Sequence, residues 1–354
     1  MSTLDATGPL DLHALLALPD LAVRTVGGSV VWANDELFAG RENLVNPGPA
    51  VHSPQTFGAK GQVYDGWETR RRREPGFDQA IVRLGAPGVV RAVVVDTSHF
   101  TGNFPSEASV EGTFVDGYPS VDDLRAASWT TIVERSPLHG DTANTFPVED
   151  ARRWTHVRLT IHPDGGIARL RVHGEVVADP RMVEALGTVD LAALDLGGRV
   201  SSCSNLFYGS PDRLIAPGPA RSMGEGWETA RRRDDGNDWV EVRLATRGVV
   251  RVAELDTTWF LGNAPGAAAL SCRDEQGDDG EGDPADGASW RPLLSRTELQ
   301  PDTRHRFLLL GAEPATSVRL DIYPDGGMAR LRLWGAPTED GLAALRARWE
   351  QTGP

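Results

Sequence analysis

The sequence predicts an all-β protein: a tandem duplication of an antiparallel β-sandwich of jelly-roll type, with short flanking helices. Three observations carry that expectation. First, "IHPDGGIARLRVHG" from Ile161 returns as "IYPDGGMARLRLWG" from Ile322, 161 residues later. Second, other duplicated blocks keep the same order and nearly the same spacing. "GWETRRRREPG" from Gly66 answers "GWETARRRDDG" from Gly226, and "VVVDTSHFTGNFP" from Val93 answers "AELDTTWFLGNAP" from Ala253, each 160 residues apart. A solenoid repeat would have a period of only about 20–50 residues, so a whole domain has been copied. Third, the apolar residues inside the blocks alternate with a period of two, the mark of strands with one buried face. The chain of 354 residues has room for two such domains.

The elements follow in order. Residues 1–26 form a lead-in in which "LDLHALLALPDLAV" reads as a short helix. The first unit spans 27–175. In its "VRLTI", Val157, Leu159 and Ile161 share one face, while Arg158, Thr160 and His162 share the other. After "PDGG", Ala168, Leu170 and Val172 point inward, and Arg169, Arg171 and His173 outward. Proline presets one turn angle and glycine accepts positive φ, so "PDGG" is expected to close a β-hairpin. "AIVRL" and "VVRAVVVDT" are further strands. Residues 176–198 read as a linker with a short helix. The second unit, 199–336, repeats the pattern with "VEVRL", "VVRVAELDT", inward Val318, Leu320, Ile322, Ala329, Leu331 and Leu333, and polar Arg319, Asp321, Arg330 and Arg332. A helix in "TEDGLAALRARWE" closes residues 337–354. The acidic, Gly-rich "RDEQGDDGEGDPADG" from Arg273 reads as a solvated loop.

Composition excludes several classes. The net charge of −14 argues against a nucleic-acid surface. No apolar run is long enough for a membrane span, and no basic start followed by an apolar run marks a signal peptide. Cys203 and Cys272 do not make a disulfide framework and read as reduced thiols of a cytoplasmic protein. Of the 36 basic residues only Lys60 is lysine, so arginine supplies nearly all positive charge.

The duplicated blocks hold the candidate site residues. Arginines side by side on a sheet face repel unless anions oppose them, so Arg169, Arg171, Arg330 and Arg332 call for acidic partners or an anionic ligand. In "GWET" the tryptophan reads as core, and Glu68 or Glu228 as a general base or a partner for the arginine run that follows. Asp96, His99 and Asn103 fall at a strand-to-loop edge, where Asp96 and His99 could share a hydrogen bond that sets the imidazole tautomer. The competing reading has Asp96 and Asp256 capping their loops through backbone amides. His99 is Trp259 in the second copy, a difference that points to division of labour. Asn103 and Asn263 are turn residues able to hydrogen-bond a polar ligand. No HxH, HExxH or CxxC spacing appears, so no metal site is evident, though a divalent metal stays open.

Taken together, "ANDELFAGRENLV", "DGWETRRRR", "VDTSHFTGNFP", "THVRLTIHPDGGIARLRVHG" and their second-half echoes resemble the allantoicase (allantoate amidinohydrolase) family, over residues 25 to 335. That resemblance implies two similar jelly-roll, galactose-binding-like repeats. It also implies hydrolysis of allantoate to ureidoglycolate and urea in purine (allantoin) degradation, by a cytoplasmic, homo-oligomeric enzyme whose partner is a small anionic substrate rather than nucleic acid or membrane. Such a reaction needs a cation for the substrate carboxylate, an acid for the departing urea nitrogen and a base or metal to activate water. The expected catalytic groups are Asp96, His99 and Glu68. The expected substrate-binding groups are Arg71, Asn103, Arg169, Arg171 and Asp164, with Glu228, Asp256, Asn263, Asp325, Arg330 and Arg332 as second-repeat equivalents. The alternative is a non-catalytic tandem that binds a ligand or carbohydrate, since one sandwich fold serves many functions.

Overall fold

The structure is a computed structural model that describes residues 11–59, 61–275 and 290–353. Most of the acidic insertion after Arg273 lies outside the described residues. The chain divides into two compact units, one of residues 1–177 with 352–354, the other of residues 178–351.

The first unit contains α1 (Leu12–Leu16), β1 (Ser29–Ala33), β2 (Phe57–Gly58), β3 (Gly61–Gln62), β4 (Trp67–Glu68), β5 (Asp78–Asp96), β6 (Glu107–Thr113), α2 (Val121–Ala126), β7 (Thr130–Pro137), β8 (Ala143–Pro147), β9 (Arg153–His162), β10 (Gly166–Ile167) and β11 (Arg169–Val176). The second contains α3 (Pro180–Leu186), β12 (Val189–Asp190), β13 (Arg199–Cys203), β14 (Trp227–Glu228), β15 (Asp238–Asp256), β16 (Ala267–Arg273), β17 (Arg291–Glu298), β18 (Arg304–Leu308), β19 (Ala315–Tyr323), β20 (Gly327–Met328), β21 (Arg330–Pro337) and α4 (Glu339–Gln351). No described helix is long and apolar enough to cross a membrane.

One strand organises each unit. "AIVRL" and "VVRAVVVDT" are not two strands but parts of the 19-residue β5. Its register with β9 breaks between Arg83 and Gly88, around "LGAPG". Before the break β5 lies between β1 and β9; after it, between β11 and β8. The strand order β1-β5-β9-β6-β7 forms one layer, and β11-β5-β8 continues into the other. β15 repeats this arrangement with β13 and β19, then β21 and β18. The sheets are open rather than closed into a barrel. The inward faces read from the sequence meet in the core, where Val157, Leu159, Ile161, Leu170 and Val172 are fully buried with Val82, Val93 and Trp67. Val318, Leu320, Ile322, Leu331 and Leu333 are equally buried in the second unit.

One expectation is corrected here. "PDGG" does not close a hairpin, because β9 and β11 pair with different stretches of β5 and not with each other. The turn instead carries the chain between layers, and its last glycine opens the short β10, which pairs with β4. The arginine face is covered, and Arg169, Arg330 and Arg332 are buried. Carbonyls of the segments before β4 and β14 meet them, those of Gly48 and Asp65 for Arg169 and those of Gly218 and Glu225 for Arg330.

Candidate active site

Each site element follows from the way "GWET", "GN" and "PDGG" lock together. Trp67 is fully buried, and its Nε1 donates to the Asp35 carbonyl at 2.7 Å. That anchor fixes β4, whose Glu68 lies in register with Gly166 of β10. Gly165 sits at φ 143°, where a side chain would be strained. A methyl group there would also lie 2.7 Å from the Asn103 carbonyl oxygen. Gly166 donates its N–H to that same carbonyl at 2.8 Å, and a methyl on it would strike the Phe100 ring at 2.0 Å. The two glycines are therefore demanded by close packing of the "PDGG" turn on the "TGNF" loop. Asp164 accepts from the backbone N–H of Arg72 at 2.9 Å, which ties the turn to the arginine run.

These contacts leave a cleft of about 190 Å³ lined by Phe38, Glu68, Thr69, Arg71, Gly102, Asn103, Phe104, Asp164 and Gly165. Glu68 is buried, and its Oε1 accepts from Asn103 Nδ2 at 2.7 Å. Its Oε2 is buried with no hydrogen-bond partner. Burial pushes the Glu68 carboxyl above the ordinary glutamate value, and the hydrogen bond from Asn103 offsets only part of that rise. Within the arginine run, Arg70 pairs with Asp35 and Arg72 with Asp78, the latter at 2.6 Å. Arg71 is exposed and lines the cleft with no ion pair among the described residues. The site thus presents a buried carboxyl with a raised pKa, an amide, a second carboxylate and an available guanidinium within one small opening.

Glu68, Arg71, Asn103 and Asp164, four of the residues singled out from sequence, come together here. The others lie elsewhere. The expected Asp96–His99 hydrogen bond does not form. Asp96 Oδ1 instead accepts from the N–H and Oγ of Ser98, at 2.8 and 2.6 Å, so the aspartate caps its own loop. His99, with φ 68°, points its Nε2 at the Ala50 carbonyl, 3.2 Å away, and stacks on His52. Trp259, with φ 75°, makes the matching bond from Nε1 to the Ala220 carbonyl at 2.9 Å. Asp256 caps its loop through the Thr258 N–H, as Asp96 does.

Arg169 and Arg171 are latches. Arg169 donates to Asp65 Oδ2 at 2.6 Å and to the carbonyls of Asp65 and Ala168 at 3.0 and 2.7 Å. Arg171 reaches the Gly48 carbonyl at 2.7 Å and lies 3.4 Å from Asp20. Burial alone would raise the Asp65 carboxyl, but the bonds from Arg169 and the Val51 amide outweigh it and hold the group low. Arg330 bonds the Gly218 and Glu225 carbonyls, and Arg332 those of Ala216 and Gly218. The anions demanded by the arginine face are thus protein carboxylates and carbonyl dipoles. Phe38, Thr69 and Phe104 lie inside the quoted blocks yet escaped the sequence reading, because an apolar or hydroxyl side chain beside charged residues carries no signal of its own. Among the described residues no group of three or more His, Cys, Asp and Glu side chains is placed to hold a metal.

The family model for the allantoicase repeat matches twice, at residues 19–177 and 189–338. The chain belongs to the allantoicase family. It is 58% identical over 321 residues to a probable allantoicase of Nocardia farcinica, covering 90% of this chain and 94% of that one. A probable allantoicase of Streptomyces coelicolor is 53% identical, with 94% of this chain and 89% of the relative covered. The crystal structure of Saccharomyces cerevisiae allantoicase superposes with a TM-score of 0.76 at 31% identity, covering 90% of this chain and 92% of the other. Family membership and the duplicated sandwich thus agree.

Proposed function

We propose that this chain hydrolyses allantoate to ureidoglycolate and urea, within purine degradation, and that the first-unit cleft is where the reaction takes place. The observation that carries the location is the Glu68 carboxyl, buried, raised in pKa and left with one unpartnered oxygen beside an available arginine. Arg71 holds the substrate carboxylate at the mouth of the cleft. Asn103 fixes one oxygen of Glu68 and leaves the other for the proton. Glu68 passes that proton to the nitrogen of one ureido group as its bond to the central carbon breaks, and urea leaves neutral. The lone pair on the remaining ureido nitrogen stabilises the carbon. Water then adds its oxygen there and returns a proton to Glu68. Allantoate and water are consumed, ureidoglycolate and urea are formed, and the carboxyl is regenerated. Asp164 and Asn103 orient the ureido N–H and C=O groups.

Family membership and coverage of nearly the whole relative support the activity; the convergence of Glu68, Arg71, Asn103 and Asp164 supports the location. Two unpaired thiols fit the cytoplasmic setting we assign. The test is direct: purified protein with allantoate should release one urea per allantoate consumed. Absence of urea under conditions where the protein is folded would remove the activity and leave a binding tandem.

A further inference from the structure

We infer that the second unit carries its own binding site for a small ureido-carboxylate, framed by Glu228, Asn263, Arg231 and Asp325. The inference rests on the reading of the first cleft and extends it to two sites per chain. Each polar contact that builds the first cleft recurs. Glu228 lies in register with Gly327 as Glu68 does with Gly166. Asn263 Nδ2 donates to Glu228 Oε1 at 2.5 Å, and the Arg232 N–H donates to Asp325 Oδ2 at 2.7 Å. Gly326 donates to Thr229 Oγ1 at 3.1 Å, as Gly165 does to Thr69. Arg232 is occupied by Asp234 and Asp238, whereas the exposed Arg231 has no ion pair among the described residues. A methyl on Gly262 would meet nothing within 4 Å, as on Gly102, so open space borders the asparagine in both units.

Retention of a fold alone does not call for this set. The buried Trp227 and the packed Gly327 account for the architecture. An exposed arginine three residues past the carboxylate of a carboxylate–amide pair, with open space at the asparagine, adds recognition chemistry: a guanidinium for a carboxylate, a carboxylate for ureido N–H groups, an amide for a ureido carbonyl. The walls differ. Phe104 is Ala264, and Met223 Sδ lies 3.4 Å from Asn263 Nδ2. Tyr208 donates its N–H to the Glu228 carbonyl where Phe38 serves Glu68. Glu228 is also less buried than Glu68. The ligand class is therefore kept while the fit is changed.

Calorimetric titration of the full chain with hydantoate, a carboxylate bearing a single ureido group, tests this. Wild type should bind two molecules per chain. Glu228→Gln, Arg231→Gln and Arg71→Gln should each bind one, and Arg71→Gln/Arg231→Gln none. Arg231 is exposed, so its variant retains the fold, and circular dichroism checks the others. One hydantoate per wild-type chain, two per Glu228→Gln chain, or none at all would overturn the second site. Urea release from allantoate by wild type, run alongside, reports on the proposed activity separately. Its failure would sink that reading whatever the stoichiometry.

Discussion

At the scale of single residues, Glu68 concentrates the chemistry. Replacing it by glutamine keeps the shape and the bond to Asn103 but removes the transferable proton. Glu68→Gln should lower kcat for urea release by about 100-fold or more, with an unchanged circular dichroism spectrum. The same residue leaves a mark on stability. Its folded pKa is raised, so the folded state holds the proton more tightly than the unfolded state. The associated stability is fully present below the unfolded value of 4.5 and is lost as pH rises through the raised folded value. Melting curves should therefore show Glu68→Gln gaining on wild type as pH rises across that window; parallel curves would mean the carboxyl titrates as in water. His156 has the opposite sign. Burial first, and then Arg83, lowers its pKa from 6.5 to about 4. Its contribution is present above the unfolded value and is lost as pH falls through about 4. His156→Gln should flatten the acid limb of the stability profile between those values. His99 and Trp259 show how a sequence difference can hide a shared task, since both ring nitrogens meet the same carbonyl position. With that role, His99→Ala should keep kcat within about twofold of wild type; a drop of about tenfold or more would put the imidazole into the mechanism.

At the scale of elements, the site is made by turns packed on turns. Gly166→Ala places a methyl 2.0 Å from the Phe100 ring, and neither the strand pairing of β10 nor the loop can yield without moving Glu68. It should cost about 1–3 kcal/mol by urea denaturation and depress urea release along with it. Arg169→Leu removes a buried cation from a carboxylate and several carbonyls, and should destabilise by about 3 kcal/mol. If denaturation shows a loss below about 1 kcal/mol, the latch is ornamental rather than structural. Much of this was legible beforehand. Period-two alternation located the buried faces, and the need for anions near paired arginines followed from Coulomb repulsion. What was not legible was pairing. "PDGG" carries the residue types of a hairpin turn, yet its flanking strands part company because β5 is long enough to serve both.

At the scale of the molecule, duplication supplies two frames from one pattern, and the units have diverged at the walls rather than at the polar groups. The first unit also has ten more residues than the second between Gly48 and Gly66, measured against Gly218 to Gly226. Those residues include His52, whose ring stacks on His99. Net charge acts on the whole chain as well. At −14 the protein should pass a DNA column unretained near neutral pH and bind an anion exchanger. Retention on DNA would reveal a basic surface that the overall charge conceals.

The sequence by itself determined the all-β class, the duplication, the inward faces and the family resemblance. Each of these is written in local periodicity or in repeated motifs, which need no knowledge of the distance between blocks. Tertiary structure decided which candidates meet. Glu68, Asn103 and Asp164 are separated by 35 to 96 residues, and no periodicity links them. They converge because the buried Trp67 anchors β4 beside β10, while two glycines let the turn close on the loop. The same folding draws Arg169 and Arg171 into backbone carbonyls and Asp96 into its own loop, since a polar group taken wholly or partly out of water needs a partner within reach. Chemistry-bearing residues announce themselves one at a time; only the packing of layers and turns decides which of them share a cleft.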